Sequence, residues 1–233
     1  MKTWKQIWEN RKTESISTCD KHVLIKLIKA DGFDGGGGDS KIAPESWMAY
    51  ISLIKKELSM QESDSLFEVG CGCGAILYSF YISGHQVGGL DFSEALITKA
   101  KELLPDANLI TCEASDLKTV PMYDYVVANS SFSYFSDFDY AASVLEKMYH
   151  KAKKGLAILD IPDAQTKDVL EEKRCNACVN YDEKYKGLHH LYYPQKWFLE
   201  FAEQKQCSKI TLGSQNIANY GYNGLRFNCF LLK

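Results

Sequence analysis

Hydrophobic and polar positions follow two different periods along the chain. In residues 1–60, Val23, Leu24 and Leu27 fall at helical spacing, and a further helix is predicted to begin at Pro44. From residue 65 onward, short apolar runs alternate with segments of helical period. The predicted strands are 65–69, 86–90, 108–112, 123–128 and 155–161, and the predicted helices among them are 75–83, 93–104 and 140–153. This alternation predicts a parallel sheet that is covered by helices on both faces.

The tail of the chain departs from this alternation. Residues 194–206 have the period of a helix, and strands are predicted at 209–212 and 226–232 with no convincing helix between them. Two consecutive strands without a crossover helix pair antiparallel. The sequence therefore predicts an α/β fold, a doubly wound and mostly parallel seven-stranded sheet whose last strand is antiparallel.

Composition limits the partners and the location. The chain has 233 residues, of which 45% are hydrophobic and 24% charged, and its formal net charge is −3. A protein that binds a phosphate backbone usually has a basic surplus, so nucleic acid is disfavoured as the main partner. No secretion signal and no apolar run long enough to span a membrane is found, which predicts a cytoplasmic protein without a membrane partner. The eight cysteines are accordingly interpreted as thiols.

A glycine-rich loop joins the first predicted strand to the following helix. Glu68 precedes it, and Gly70, Gly72 and Gly74 alternate with cysteines. Glycine permits a tight turn and the close approach of a ligand to the backbone, and the following helix presents free N–H groups. Asp91 ends the second strand, where an acid accepts hydrogen bonds from both hydroxyls of a ribose. The pattern predicts a nucleotide-type cofactor at the carboxyl ends of the strands.

Segment 66–74 resembles the first motif of class I S-adenosylmethionine-dependent methyltransferases, an acid followed by Gly-x-Gly-x-Gly. Further motifs of that family follow in the same order after the second, third and fourth predicted strands. The resemblance covers residues 62–162 and the closing strand, and it implies S-adenosylmethionine as cofactor and S-adenosylhomocysteine as product. The residues that it implies for cofactor binding are Glu68, Gly70, Cys71, Gly72, Gly74, Asp91, Phe92, Glu113, Ala114, Ser115, Asn129 and Ser130.

The resemblance also implies what these residues contact. Glu68 would lie near the amino group of the cofactor, and the helix after the glycine loop would face its carboxylate. Asp91 would bind the ribose, and Phe92 would pack on the adenine. The carboxylate of Glu113 and a backbone N–H of the segment that it begins would bind the adenine edge. Residues 129–130 would lie beside the sulfonium and the substrate.

The acceptor is expected in the loops after the fourth and fifth strands, beyond the carboxyl ends of the sheet. The first loop, 130–135, is rich in aromatic and hydroxyl side chains, and the second is a long insertion, 163–193, typical of a lid. Histidine exchanges protons near neutral pH, so histidines here are candidate bases. The candidate catalytic residues are Tyr134, His189 and His190, and the aromatic residues expected to wall a pocket are Tyr181, Tyr185, Tyr192 and Tyr193.

These features predict a methyltransferase that methylates an oxygen or nitrogen atom of a small organic acceptor by in-line displacement. Residues 70–75 also fit the looser dinucleotide pattern G-x-G-x-x-A, so an NAD-dependent oxidoreductase is an alternative. A cofactor-binding scaffold without activity is another, because a fold does not fix a function. Thiolates of Cys71, Cys73, Cys175 and Cys178 could suggest zinc, but the loop cysteines must leave their backbone free for a cofactor, and no metal site is predicted.

The chain is expected to form a single domain, 1–233. It would consist of a helical N-terminal cap (1–60), a cofactor-binding core (62–162), a substrate lid (163–193) and a C-terminal helix with a strand pair (194–233). Four consecutive glycines, 35–38, interrupt the cap. They are interpreted either as a flexible linker or as a loop that closes over a ligand.

Overall fold

The computed structural model describes residues 3–11, 16–17, 22–33 and 41–233. Its strands are β1 (Leu66–Val69), β2 (Val87–Asp91), β3 (Asn108–Thr111), β4 (Tyr123–Asn129), β5 (Ala152–Pro162), β6 (Lys209–Ser214) and β7 (Arg226–Leu232). Within the described residues they form a seven-stranded sheet of order β3-β2-β1-β4-β5-β7-β6. Strands β1 to β5 pair in parallel, and β7 is antiparallel to both β5 and β6. The predicted fold class is confirmed, including the reversed last strand.

Helices surround this sheet, and their starts follow the predicted signals. Pro44 occupies the first turn of its helix, and the hydroxyl of Ser93 accepts a hydrogen bond from the N–H of Leu96 (3.4 Å). The predicted ends differ by a few residues, because helix termini depend on local caps. The helices are α1 (Trp4–Glu9), α2 (Val23–Ala30), α3 (Pro44–Glu57), α4 (Ala75–Tyr81), α5 (Glu94–Leu103), α6 (Phe138–Lys151), α7 (Lys167–Ala177), α8 (Tyr181–Lys184) and α9 (Gln195–Gln204).

Two apolar layers fix the helices to the sheet. Successive residues of a strand point to opposite faces, so Leu66 joins one layer and Phe67 the other. Helices α2 to α5 contribute to the first layer, and α6 and α9 to the second. Each large apolar side chain that is fully buried stabilises the fold by roughly 1.5–3 kcal/mol. The layers therefore hold rigidly the strand ends from which the site loops emerge.

The described part of the N-terminal cap contains the helices α1, α2 and α3, and α2 and α3 pack against α4. Residues 34–40, which contain the run of glycines, lie outside the described residues, so their interpretation as a linker or a closing loop stays a prediction. The division of the chain into one domain with a core and a lid also stays a prediction.

The insertion after β5 is pinned at both ends. The N–H of Ala164 donates to the carbonyl of Tyr193 (3.0 Å), and the N–H of Tyr193 donates to the carbonyl of Pro162 (2.9 Å). Tyr193 is fully buried and contacts the rings of Phe132 and Phe198. It was expected to wall a pocket, but it is a core residue, because the insertion returns to the sheet at that point. Helices α7 and α8 form the body of the insertion.

No helix in the described ranges is long and apolar enough to cross a membrane. The cysteines in those ranges are free thiols. Among the same residues, no group of three or more His, Cys, Asp and Glu side chains is arranged to hold a metal ion.

Candidate active site

The glycine loop lies between β1 and α4. Gly70, Gly72 and Gly74 have φ values of 76°, 53° and 89°, which residues with a side chain rarely adopt. The N–H groups of Gly70 and Cys71 donate to the carbonyl of Leu90, at 2.8 and 2.9 Å, and so tie the loop to the end of β2. The turn thus requires glycine, and it brings its backbone to the surface of a cavity.

This cavity, here named the loop cavity, has a volume of about 540 Å³. Gly74 does not line it, since Gly74 caps α4 and faces Leu104. Ser115 does not line it either, and its N–H, one of those expected to bind the adenine edge, donates to the hydroxyl of Tyr140 (3.2 Å). The other predicted cofactor residues all line it: Glu68, Gly70, Cys71, Gly72, Asp91, Phe92, Glu113, Ala114, Asn129 and Ser130.

Glu68 is a buried acid in this lining. Its side chain is 3% exposed, and its Oε2 atom has no hydrogen-bond partner among the described residues. Burial raises the pKa of this carboxyl well above its usual value, and the carboxyl groups of Asp31 and Asp91 raise it further. A buried polar atom without a partner is costly, so this position suits a ligand that brings a donor or a positive charge.

Asp91 ends β2, as predicted. Its Oδ1 accepts from the N–H of Ser93 (2.8 Å) and its Oδ2 from the N–H of Gly72 (3.0 Å). Burial raises the pKa of Asp91, although these two hydrogen bonds lower it. Each carboxylate oxygen can accept more than one hydrogen bond, so both oxygens keep capacity for donors from a ligand.

Asp31 is a third acid at the loop cavity, and the sequence analysis did not identify it. Its Oδ1 accepts from the N–H of Cys73 (2.5 Å) and its Oδ2 from the N–H of Ala75 (2.8 Å). Burial raises the pKa of Asp31 to about 7, against the effect of these bonds. The first-turn N–H groups of α4 were expected to face the carboxylate of a cofactor, and the structure differs, because Asp31 accepts from Ala75, the first residue of α4, as well as from Cys73 of the loop. No local motif marks this residue, since it reaches the loop from the end of α2.

Aromatic side chains of α1 cover the predicted acceptor loop. The ring centroid of Trp4 lies 4.9 Å from that of Tyr134 and 4.5 Å from that of His190, and Trp8 lies 5.5 Å from Tyr134. The indole N–H of Trp4 donates to the backbone carbonyl of His189 (3.0 Å). Helix α1 buries no residue of its own, so these contacts hold it in place. The signal in the sequence was the pair of tryptophans four residues apart, which share one helical face.

The three candidate catalytic residues lie around this aromatic cluster. Tyr134 and His189 line the loop cavity, and His190 lines a neighbouring cavity. The Nδ1 atom of His190 lies 3.1 Å from the hydroxyl of Ser133. Desolvation, and then the charge of Arg174, lower the pKa of His190 well below its usual value, so its ring is neutral at neutral pH. The roles of these residues in catalysis stay predictions.

The neighbouring cavity, here named the arginine cavity, has a volume of about 850 Å³. Arg174 of α7 and Arg226 of β7 line it, together with Tyr181 and Tyr185 of the insertion. The sequence predicts the two tyrosines in a pocket wall, but no motif in it marks either arginine. A single arginine in a polar segment has no signal until the fold shows that it is buried.

Residues 67–155 match a family model described as a methyltransferase domain. The chain contains a methyltransferase domain. The match begins in β1 and reaches β5, so it includes the glycine loop and the ends of β2, β3 and β4, on which the predicted resemblance rested. The predicted family and the predicted class of enzyme are confirmed. No curated protein sequence matches the chain.

Solved structures of methyltransferases have the same fold as this methyltransferase domain and its flanking elements. The magnesium protoporphyrin IX methyltransferase from Synechocystis PCC 6803 with bound S-adenosylhomocysteine is 15% identical, with a TM-score of 0.60, over 92% of this chain and 100% of that one. The plantazolicin methyltransferase in complex with S-adenosylhomocysteine is 15% identical, with a TM-score of 0.60, over 98% and 93%. A methyltransferase from Methanosarcina mazei is 13% identical, with a TM-score of 0.57, over 77% and 95%. At these identities the likeness shows the fold alone.

Proposed function

We propose that this methyltransferase transfers the methyl group of S-adenosylmethionine to an oxygen or nitrogen atom of a small organic acceptor. The observation that carries the proposal is the buried Glu68, whose unpartnered oxygen lines the loop cavity beside Asp91. S-adenosylmethionine brings an ammonium group, a ribose diol and an adenine, and the cavity offers a partner for each. Structures of similar fold are described with this cofactor or its product bound.

The lining suggests how the cofactor is held. Glu68 accepts from the ammonium group, which satisfies its free oxygen, and the positive charge favours the ionised carboxylate. Asp91 binds the ribose hydroxyls, and Phe92 packs against the adenine. Glu113 and Ala114 lie after β3 and bind the adenine edge, while residues 129–130 lie near the sulfur.

The cofactor, when bound, supplies a methyl group that its sulfonium charge has already activated. The protein therefore has to align the acceptor and exclude water. Trp4, Trp8 and Tyr134 wall the loop cavity on the acceptor side and serve both purposes. His190 is neutral, so it is able to take a proton from an acceptor hydroxyl or amine, and its low pKa makes it a weak base. We propose Tyr134 and His189 as further contacts of the acceptor.

Two observations support a small acceptor. The arginine cavity adjoins the loop cavity and shares Ser130 and Tyr134 with it, so an acceptor held there lies next to the methyl donor. Its walls combine aromatic side chains from α1, from the insertion and from the segment before β7 with charged and polar groups. A concave lining in which aromatic rings surround placed polar groups suits a small molecule.

Methyl-labelled S-adenosylmethionine tests the proposal directly. The protein is incubated with the labelled cofactor and a panel of small phenols, amines and carboxylic acids, and label is followed into the acceptor. Calorimetry with S-adenosylhomocysteine is run in parallel. Transfer to one class of acceptor is expected, together with binding of the product. Absence of any S-adenosylhomocysteine binding contradicts the proposal, and tight binding without transfer to any acceptor supports the non-catalytic alternative.

A further inference from the structure

Arg174 is a buried cation that pairs with no carboxylate of the described residues. Its side chain lies in α7 and is 5% exposed. One guanidinium nitrogen donates to the hydroxyl of Tyr192 (2.6 Å) and another to the hydroxyl of Ser133 (3.4 Å). Among the described residues no carboxylate forms an ion pair with it, although the nearby Arg226 is paired with Asp160. Buried charges in proteins are normally paired, so Arg174 lacks a negative charge that the described residues do not supply.

Arg226 adds a second free donor to the same cavity. Its side chain is also 5% exposed, and its Nε atom has no hydrogen-bond partner in the described part of the chain. One of its terminal nitrogens donates to the hydroxyl of Ser130 (3.1 Å) and to the carboxylate of Asp160. The Nε–H group is therefore a donor that only a ligand or water can satisfy.

The guanidinium groups of both arginines lie near the same tyrosine ring. The central guanidinium carbon of Arg226 lies 4.6 Å from the ring centroid of Tyr222, and that of Arg174 lies 6.0 Å from the same centroid. Both arginines also lower the pKa of Tyr134, which burial raises. The two guanidinium groups and the aromatic rings thus form one continuous surface of the arginine cavity. Because Ser130 lines both cavities and accepts from Arg226, this surface reaches the proposed donor side.

We propose that the acceptor is a small aromatic carboxylate whose carboxylate group binds Arg174 and the Nε–H group of Arg226. This inference rests on the proposed methyl transfer and names the class of acceptor. A carboxylate matches the planar fork of a guanidinium group and supplies the missing negative charge. The aromatic walls, formed by Trp8, Phe33 and Tyr134, suit a ring attached to that carboxylate. The two cavities differ in the sign of most of their charged side chains: acids predominate in the loop cavity and bases in the arginine cavity, and Asp31 lines both.

Binding of matched probes tests the inference. Benzoate, the neutral benzamide and phenyl phosphate are titrated at constant ionic strength, with and without S-adenosylhomocysteine, and followed by intrinsic tryptophan fluorescence. Benzoate is expected to bind about tenfold more tightly than benzamide, since charge-assisted hydrogen bonds to a buried arginine favour the anion. R174M is expected to abolish this preference, and R174K to keep part of it. K196M is the control, because Lys196 is an exposed cation on α9.

Each outcome decides the matter. Equal binding of benzoate and benzamide, including no binding of either, overturns the inference, and so does a preference that survives in R174M. A preference for phenyl phosphate over benzoate overturns the assignment of a carboxylate. Circular dichroism and the melting temperature show whether R174M folds, and R174K supplies the comparison if it does not. Because benzoate is also titrated without S-adenosylhomocysteine, its binding decides this inference even where the cofactor fails to bind, an outcome that contradicts the proposed function.

Discussion

The loop cavity and the arginine cavity adjoin each other, but they are built in different ways. The loop cavity is lined by Asp31, Glu68 and Asp91, two of which lie on adjacent central strands. The two buried arginines of the arginine cavity come from α7 and β7, which are far apart in the sequence. A motif therefore reveals the first cavity, whereas only the folded chain reveals the second. The proposed ligands differ in the same sense, with an ammonium group on the acidic side and a carboxylate on the basic side.

Replacing Asp91 with Ala is expected to have the largest effect, and it distinguishes most clearly between the ligands of the two cavities. The change removes the proposed ribose contacts and the acceptors for the N–H groups of Gly72 and Ser93. Affinity for S-adenosylhomocysteine should fall about a hundredfold, as expected for the loss of two charge-assisted hydrogen bonds. Calorimetry measures this, with R174M as the matched control that keeps cofactor affinity. An unchanged affinity in D91A would remove Asp91 from the site.

Glu68→Gln tests whether this buried acid recognises a positive charge. The variant keeps the shape of the side chain but loses its charge, so affinity for S-adenosylhomocysteine should fall about thirtyfold. The ligand-free protein at pH 8 should become more stable, because a buried carboxyl group that resists ionisation is replaced by a neutral group. Calorimetry and thermal denaturation report the two effects separately. A loss of stability with unchanged affinity would make Glu68 a structural residue only.

The two cavities also show what the sequence could predict. Gly70, Asp91 and Asn129 follow strands whose apolar runs are plain in the sequence, and the carboxyl ends of neighbouring parallel strands meet at one edge. The fold, the family and most of the loop cavity could therefore be predicted. Asp31 and Arg174 could not, since the position of each depends on a helix that packs across the site and not on its sequence neighbours.

Tyr193 is the opposite case, because the sequence predicted a pocket residue and the structure shows a core residue. Its place in an aromatic insertion suggested a pocket wall, but the insertion ends beside β5 and buries this ring against Phe132 and Phe198. Aromatic composition predicts burial without saying whether a core or a ligand covers the ring. Only the anchored ends of the insertion show that the core, and not a ligand, covers the ring of Tyr193.

The two histidines of the insertion are expected to differ in their effect on turnover. His190 is held by Ser133 and stacks on Trp4, whereas the side chain of His189 is exposed and its backbone carbonyl makes the contact with Trp4. His190→Ala should lower kcat about tenfold, since the proton acceptor and the wall it forms are lost, and His189→Ala much less. Steady-state kinetics measure kcat, and calorimetry with S-adenosylhomocysteine checks that cofactor affinity is kept. Equal losses of kcat and affinity in H190A would argue against its role.

The smallest effect concerns Asp31, which lines both cavities and so lies on the boundary between the acidic and the basic side. Its pKa rises from 3.8 to about 7 on folding, so the folded protein holds a proton that the unfolded chain releases in this window. The resulting stability is complete below about pH 4 and is lost as the pH rises through about 7.

In Asp31→Asn, the free energy of unfolding should therefore fall less steeply between these pH values. A slope remains, because burial also raises the pKa of Glu68 and of Asp91. Urea denaturation across the range measures the slope, with the exposed Asp139→Asn as control, and parallel curves for wild type and D31N would show that Asp31 does not take up the proton.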